Sequence, residues 1–124
     1  MLNTKDAMAT IAVRDLPAAR RFYEGTLGFA PLEAGEDGTV VYKSGDARLL
    51  VYQSQFAGTN RATAASWNVG ADLEALVREL AGKGVAFEHY DGMGRREGDI
   101  HVTDGVRVAW FKDPDGNILS IFRG

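Results

Sequence analysis

The stretch VRDLPAARRFYEGTLGF (residues 13–29) decides the fold, because it marks a strand-to-helix boundary that occurs twice in the chain. Residues 10–13 alternate between small or polar and apolar side chains, which is typical of a half-buried strand. Asp15 then offers a helix N-cap, and Pro17 lies in the first turn, where its missing N–H costs little. The stretch VGADL (residues 69–73) repeats this boundary 56 to 57 residues later. The sequence therefore predicts two tandem copies of one unit.

Each copy is predicted to run strand, helix and then three strands, separated by Gly-rich turns. In the second copy Asp72 is expected to cap the helix, and Glu74 and Arg78 are expected to pair across one turn. The predicted strands after the first helix cover residues 29–34, 39–43 and 47–53; those of the second copy cover 66–69, 85–90, 105–112 and 117–122, with a turn at 35–38 and a polar loop at 91–99.

This order predicts an α+β fold of two tandem β-α-β-β-β modules within one domain, residues 1–124. Module one covers residues 8–53, a linker covers 54–63, and module two covers 64–123. Each helix covers only one face of its sheet, so the other face needs a partner. Two such sheets can pair and curl into an open half-barrel with a cleft inside.

Composition excludes several classes of protein. The chain has 124 residues, 45% of them hydrophobic and 25% charged, which is ordinary for one globular domain. It has no cysteine, so disulfides, cysteine-based metal sites and a cysteine nucleophile are excluded. A net charge of −3 argues against a nucleic-acid partner. The polar N-terminus and the lack of a long apolar run predict a cytoplasmic protein without a membrane partner.

The turn Asp113-Pro114-Asp115-Gly116 predicts a hairpin near the C-terminus, with Gly116 in the left-handed position. A three-residue bulged loop would pair Trp110 with Ser120 and turn Trp110 towards the cleft. A four-residue loop would put Phe111 there instead. The three-residue register is favoured.

Two motifs carry a family resemblance. The stretch at 13–29 resembles the opening of the vicinal oxygen chelate superfamily, which includes glyoxalases, bleomycin-resistance proteins and extradiol dioxygenases. The stretch WFKDPDGN (residues 110–117) is similar to the conserved hairpin of that family. The resemblance implies the paired β-α-β-β-β fold over roughly residues 5–123.

The resemblance also implies four metal-holding positions, two in each module. Counting from the motifs places three of them at Met8, Ala64 and Ser120, and the fourth within residues 47–52. None of these carries the His, Asp or Glu side chain that such a divalent metal needs. We therefore expect no metal and no cofactor.

A relocated metal site remains an alternative. The two histidines of the chain, His89 and His101, flank the polar loop, and Asp99 lies between them. Their spacing matches no metal motif, so loop-edge histidines with solvent or backbone partners are the simpler interpretation. The sequence assigns no catalytic residue.

Strand alternation predicts which side chains line the cleft. If the mapped metal positions face inward, so do their neighbours two residues away, whereas Trp67 belongs to the core. Tyr42, Tyr52 and Phe56 could add aromatic walls, and the loop 91–99, which carries Arg95 and Arg96, is either a lid or an ordinary mobile loop. The candidate ligand-binding residues are Met8, Thr10, Tyr42, Tyr52, Asn68, Trp110, Ser120 and Phe122.

Three functions remain open. The first is a metal-free homodimeric binding protein, similar to the bleomycin-resistance branch, that sequesters a small organic molecule in an apolar cleft and so gives antibiotic resistance; the acidic balance would suit a cationic ligand. The second is a lyase, isomerase or dioxygenase with a relocated metal site. The third is an interaction module that has lost its chemistry.

Overall fold

The computed structural model describes residues 1–35 and 37–124; Glu36, in the predicted turn at 35–38, lies outside the described residues. The first α-helix, Leu16–Arg20, continues without a break into a π-helical segment, Arg21–Thr26, and short 3₁₀ segments cover Leu2–Thr4 and Gly70–Asp72. The elements are β1 (Ala9–Val13), α1 (Leu16–Arg20), β2 (Pro31–Ala34), β3 (Thr39–Ser44), β4 (Ala47–Gln53), β5 (Thr63–Asn68), α2 (Leu73–Gly82), β6 (Phe87–Glu88), β7 (Arg95–Glu97), β8 (Ile100–Thr103), β9 (Val106–Lys112) and β10 (Ile118–Arg123).

The two sheets repeat one topology. The first has the order β1-β4-β3-β2, and the second has the order β5-β10-β9-β8-β7, with β6 also paired to β9. In each sheet the first strand of the module pairs in parallel with the last one, and the remaining pairs are antiparallel. The α+β fold of two β-α-β-β-β modules is confirmed.

The second strand of module two differs from the prediction. The predicted strand at 85–90 is reduced to the two residues of β6, and the structural counterpart of β2 is β8, which the sequence analysis did not identify. The predicted polar loop at 91–99 contains β7, which pairs with β8. The reason is compositional: β7 reads Arg-Arg-Glu, an edge strand whose charges give no apolar alternation.

The two helices begin differently. Asp15 caps α1 as predicted, because its carboxylate accepts a hydrogen bond of 3.0 Å from the backbone N–H of Ala18. Asp72 occupies the N-cap position of α2, but its side chain makes no capping hydrogen bond. The preceding 3₁₀ turn gives Asp72 a helical conformation, so its side chain does not turn back over the first amides as an extended N-cap residue does. That prediction was wrong.

The predicted pair on α2 was also wrong. Glu74 bonds Arg107 of β9 at 3.1 Å, and Arg107 in turn bonds Glu97 of β7 at 2.7 Å. The side chain of Arg107 lies on the helix side of its sheet, where it reaches both carboxylates. A tertiary partner therefore replaces Arg78, the partner expected from helical spacing.

One hydrophobic core serves both modules. It contains Ile11 and Val51 from the first sheet, Phe111 and Leu119 from the second, and residues of both helices. Each sheet therefore turns one face towards the shared core and the helices. We call the opposite face of each sheet the open face; in β1, β4, β5, β9 and β10 it carries the even-numbered residues.

The C-terminal hairpin has the three-residue register. Asp113 donates its N–H to the carbonyl of Asn117 at 3.0 Å, and Trp110 pairs with Ser120. Gly116 has the expected positive φ of 89°. Trp110 therefore lies on the open face and Phe111 lies in the core, which settles the alternative in favour of Trp110. Within residues 1–35 and 37–124, every helix is too short or too polar to cross a bilayer.

Candidate functional site

The open face of module one forms part of a cavity of about 160 Å³, which we call the open-face cavity. The half-buried Tyr52 of β4 forms one wall, and the linker residue Phe56, 70% exposed, stands at its edge. Thr10, Thr59, Asn60 and Ala64 also line this cavity. The cavity thus combines two aromatic rings with small polar groups.

The open face of module two carries a tryptophan that is almost fully covered. Trp110 is 9% exposed, and its Nε1–H donates to Thr63 Oγ1 at 3.2 Å. The rings of Tyr90 and His101 meet it edge to face, each with a centroid distance of 5.2 Å. Phe122 packs against the same cluster. The segment after β6 therefore covers this part of the sheet.

Both ring nitrogens of His101 face backbone partners. Its Nδ1 lies 3.2 Å from the carbonyl oxygen of Met93, which can only accept, so Nδ1 carries the proton. Its Nε2 lies 3.4 Å from the backbone N–H of Tyr90, which can only donate, so Nε2 is the acceptor. Both nitrogens are engaged in a residue that is 1% exposed. His101 is therefore not poised to bind a metal.

His89 lies in a different environment. Its Nε2 lies 2.8 Å from a carboxylate oxygen of Asp99 on the surface, and its ring centroid lies 6.1 Å from that of His101. Among the described residues, no group of three or more His, Asp or Glu side chains is arranged to hold a metal ion. The relocated site imagined from His89, His101 and Asp99 has no support in this geometry.

The four positions implied by the family resemblance also do not fit a metal. The register of β4 places Arg48, Leu50 and Tyr52 on the open face, and none of the three is an oxygen-anion or imidazole ligand. Ser120 bonds the hydroxyl of Ser66 at 2.8 Å. A thioether, a methyl and a hydroxyl at the other positions cannot replace the carboxylates and imidazoles that hard or borderline divalent ions require.

Two of the mapped positions also line different cavities of the folded protein. Met8, 42% exposed, lines one cavity together with Asp6 and Arg48, whereas Ala64 lines the open-face cavity. The structure therefore does not gather these positions into one pocket.

Tyr42 is the candidate residue that the structure moves elsewhere. It lies in the shared core on the helix side of β3, fully buried, so its predicted place in the cleft was wrong. Its hydroxyl donates to Glu24 at 2.8 Å, and burial raises the pKa of Tyr42 above its usual range. A hydrogen bond from Arg20 lowers the pKa of Glu24 and keeps this carboxylate charged. The register of β3 pairs Tyr42 with Leu49 of β4, which also lies in the core, so both side chains lie on the helix side of the sheet.

Two neighbours on β5 have different roles. Trp67 is half-buried against the core, as predicted, and its Nε1–H donates to Ser44 Oγ of module one at 2.9 Å. Asn68 is exposed, and its side-chain oxygen accepts a hydrogen bond of 3.2 Å from the N–H of Gly70. The oxygen of Asn68 is therefore engaged in a local turn.

The arginines of the polar loop are also engaged locally. Arg95 pairs with Glu97 at 2.9 Å, and Arg96 donates to the carbonyl of Gly98 at 3.2 Å. Tyr90 and His101, which cover Trp110, were not identified as site residues from sequence. The signal was weak because β8 was missed, and with it the alternation that places His101 opposite Val108.

Comparisons with known proteins agree with this architecture. Residues 7–121 match the model of the Glyoxalase/Bleomycin resistance protein/Dioxygenase superfamily. No curated protein sequence matches the chain.

Similar solved structures show the same fold at low identity. A glyoxalase family protein from Enterococcus faecalis has a TM-score of 0.77 at 21% identity, covering 99% of this chain and 100% of its own. Lactoylglutathione lyase from Agrobacterium tumefaciens has a TM-score of 0.76 at 17% identity, covering 98% and 94%. The fosfomycin resistance protein FosX from Mesorhizobium loti has a TM-score of 0.70 at 18% identity, covering 100% and 94%. With a family model matched over nearly its whole length, this chain belongs to the glyoxalase, bleomycin resistance protein and dioxygenase superfamily.

Proposed function

We propose that the protein binds a small organic molecule on the open faces of its sheets without the help of a metal ion. The observation that carries this proposal is the chemistry of the mapped metal positions, Met8, Ala64 and Ser120, and of the β4 segment 47–52, which has no His, Asp or Glu. Met8 and Ala64 are apolar, and the hydroxyl of Ser120 is bonded to Ser66. Without a metal, the protein can still bind a molecule through its side chains. Sequestration is the function that needs only such binding and no catalytic step.

The open-face cavity supports an organic ligand. Its lining is mostly polar, with Thr10, Thr59 and Asn60 as possible partners for polar groups of a ligand, whereas Tyr52 and Phe56 supply the aromatic surface that ligand pockets commonly offer. Phe56 leaves 70% of its surface in water. A ligand ring stacked on it would remove part of that apolar surface from solvent, at roughly 25 cal/mol per Å².

The size of the cavity points to a homodimer. Its volume of about 160 Å³ is smaller than the roughly 300–1,000 Å³ of a drug-sized pocket. We therefore propose that a second copy of the chain completes the site by placing its own open face over this one. An isologous contact of this kind uses the same surface on both copies.

Metal content tests the proposal first. The protein is dialysed against a mixture of manganese, iron, nickel and zinc salts and then analysed for bound elements. We expect less than about a tenth of an equivalent, because no described cluster offers the ligands that these ions require. About one equivalent, lost in His89→Ala or His101→Ala, would contradict the proposal and make metal-dependent catalysis the leading function.

A binding screen tests the ligand site. A panel of cationic glycopeptide drugs, α-keto acids and catechols is titrated by calorimetry, with the products analysed in parallel. We expect binding without turnover, weakened roughly tenfold by Tyr52→Ala or Phe56→Ala, the loss typical of an aromatic contact. Leu32→Ala, at an apolar β2 residue that is 48% exposed and outside the cavity, is the matched control. Metal-free turnover of an α-keto acid or catechol would show instead that the protein is an enzyme.

A further inference from the structure

A second cavity lies on the opposite side of the sheets, where the two modules meet over the shared core. We call it the helix-side cavity; its volume is about 160 Å³. Its floor consists of Leu80, Phe111 and Ile121, each less than 10% exposed. Its walls are half-buried and include Phe29 from module one and Trp67 from β5. It is therefore a concave site with a buried apolar floor and an access route from solvent.

The lining offers no group that would hold water. All eight lining residues are apolar or aromatic, and the one side-chain polar atom among them, Trp67 Nε1, already donates to Ser44 at 2.9 Å. A buried water typically makes about three hydrogen bonds, which this lining cannot supply through its side chains. An enclosed apolar cavity of roughly 150 Å³ is known to stay dry and to hold one benzene ring. The helix-side cavity has a similar volume and a similar apolar lining, but one side of it is open to solvent.

We propose that the helix-side cavity is a binding site for a small uncharged aromatic molecule, of the size of benzene or toluene. The rings of Phe29 and Trp67 lie with centroids 5.9 Å apart and planes inclined by 38°, so they offer aromatic surface to a ring entering beside them. This site is separate from the one proposed on the open faces, because Trp67 points to the opposite side of β5 from Ala64 and Ser66.

Occupancy of this cavity would link the modules. Leu27 and Phe29 come from module one, and Leu76 and Leu80 come from α2 of module two. A ring that contacts both sides binds the assembled fold and not the unfolded chain, so it raises the unfolding temperature in a concentration-dependent way. The volume also limits the size of the occupant. A helix or strand of a partner protein could insert only one side chain into the cavity.

Tryptophan fluorescence tests the proposal with iodobenzene as the probe, since its heavy atom quenches a tryptophan at contact distance and Trp67, unlike Trp110, lines the cavity. We expect saturable quenching of the full-length protein that toluene competes away. Leu76→Phe fills the cavity from α2 and Leu27→Phe fills it from module one. Each should weaken iodobenzene binding at least tenfold while keeping a cooperative unfolding transition. Leu32→Phe makes the same change outside the cavity and should bind as the unmodified protein does.

Two results would overturn the proposal. One is quenching that rises linearly without saturation, or that is equal in Leu76→Phe and Leu32→Phe. The other is a change of sedimentation coefficient in Leu76→Phe, which would assign the cavity to a contact between copies of the chain. Methyl chemical shifts of Leu76 and Val69 on addition of toluene to the unmodified protein give the same answer without any variant, because both methyl groups line the cavity.

Discussion

Asp113 accepts hydrogen bonds from its own hairpin and from the helix of the other module. Its Oδ1 accepts from the N–H groups of Asp115 and Asn117, at 3.0 and 2.9 Å. Its Oδ2 accepts from Asn117 Nδ2 at 2.8 Å and from the hydroxyl of Tyr23 at 2.9 Å. The turn chemistry of 113–116 predicts the bonds within the hairpin, but the bond from Tyr23, ninety residues away, has no local signature.

This arrangement raises the pKa values of both Asp113 and Tyr23. Burial raises the pKa of Asp113, although the hydrogen bonds from Asn117 and Tyr23 counteract part of that rise. Burial, with the nearby charge of Asp113, raises the pKa of Tyr23 above its usual range. The tyrosine therefore stays a donor, with its ring in the shared core and its hydroxyl bonded to Asp113.

Replacing Tyr23 by Phe should destabilise the protein. The ring would keep its packing, but Asp113 would lose one donor in a site where it is 4% exposed. Hydrogen bonds to charged groups contribute about 1.5–3 kcal/mol, so we expect a loss of that order in the free energy of unfolding. Urea denaturation monitored by circular dichroism measures it.

Tyr90→Phe is the matched control for this change. The hydroxyl of Tyr90 is buried and has no hydrogen-bond partner among the described residues. Removing it should be neutral or stabilising, because an unsatisfied buried polar group costs free energy. Equal losses in the two Tyr→Phe variants would show that the hydroxyl of Tyr23 contributes nothing specific.

At the scale of elements, periodicity predicts module one better than module two. Strand β4 was predicted with its observed bounds, 47–53, because alternating apolar residues lie between two turns. The edge of module two is positioned by ion pairs instead. Glu97 of β7 bonds Arg107 of β9, and Arg107 bonds Glu74 of α2. Such long-range pairs leave no periodic trace in the sequence.

Gly94 fixes how β7 approaches β8. It has φ of 75°, and a Cβ placed on it would clash with the carbonyl oxygen of Val102. Gly98, at the other end of β7, has φ of 62° but nothing within 4 Å of such a Cβ. A substitution at either glycine would therefore strain the backbone, but only a substitution at Gly94 would also cause a steric clash.

Gly94→Ala should therefore destabilise the protein more than Gly98→Ala. The left-handed conformation alone costs about 1–2 kcal/mol for an alanine, and we expect Gly98→Ala to lose about that much. Gly94→Ala adds a backbone clash that requires β7 to move away from β8. Urea midpoints measure the difference, and faster amide exchange in β8 identifies its location; equal midpoints would mean that the hairpin is not packed as described.

At the scale of the whole molecule, the repeat in the sequence predicts two modules but not how they join. Asn117 donates to the carbonyl of Ala12 at 2.7 Å, and Trp67 donates to Ser44, so side chains of one module bond the other. The core is shared as well, since Phe22 of module one contacts Phe111 of module two. Alternation along a strand gives two faces, and only the arrangement of modules decides which face is covered.

The same limit applies to the candidate site. Thr10, Trp110, Ser120 and Phe122 lie on the open faces that alternation predicts, and so does Tyr52, for which the sequence left the register open. The cover over Trp110, formed by Tyr90 and His101, comes from a segment whose path depends on tertiary contacts. Sequence thus predicts which residues can line a site, whereas the cavities themselves arise from how the linker and loops pass over the sheets.

The shared core predicts that both modules unfold together. Because one apolar cluster and the hydrogen bonds of Asn117, Trp67 and Tyr23 span the two modules, neither sheet can lose its partner without exposing buried surface. Tryptophan fluorescence, whose two reporters Trp67 and Trp110 both belong to module two, and far-ultraviolet circular dichroism should give coincident urea transitions. Ser44→Ala removes the acceptor of Trp67 and should lower the free energy of unfolding by about 1 kcal/mol within one transition. Hydrogen exchange completes the test: if amides of β3 and β4 open at a much lower free energy than those of β9 and β10, module one unfolds on its own and the shared core does not couple the two halves.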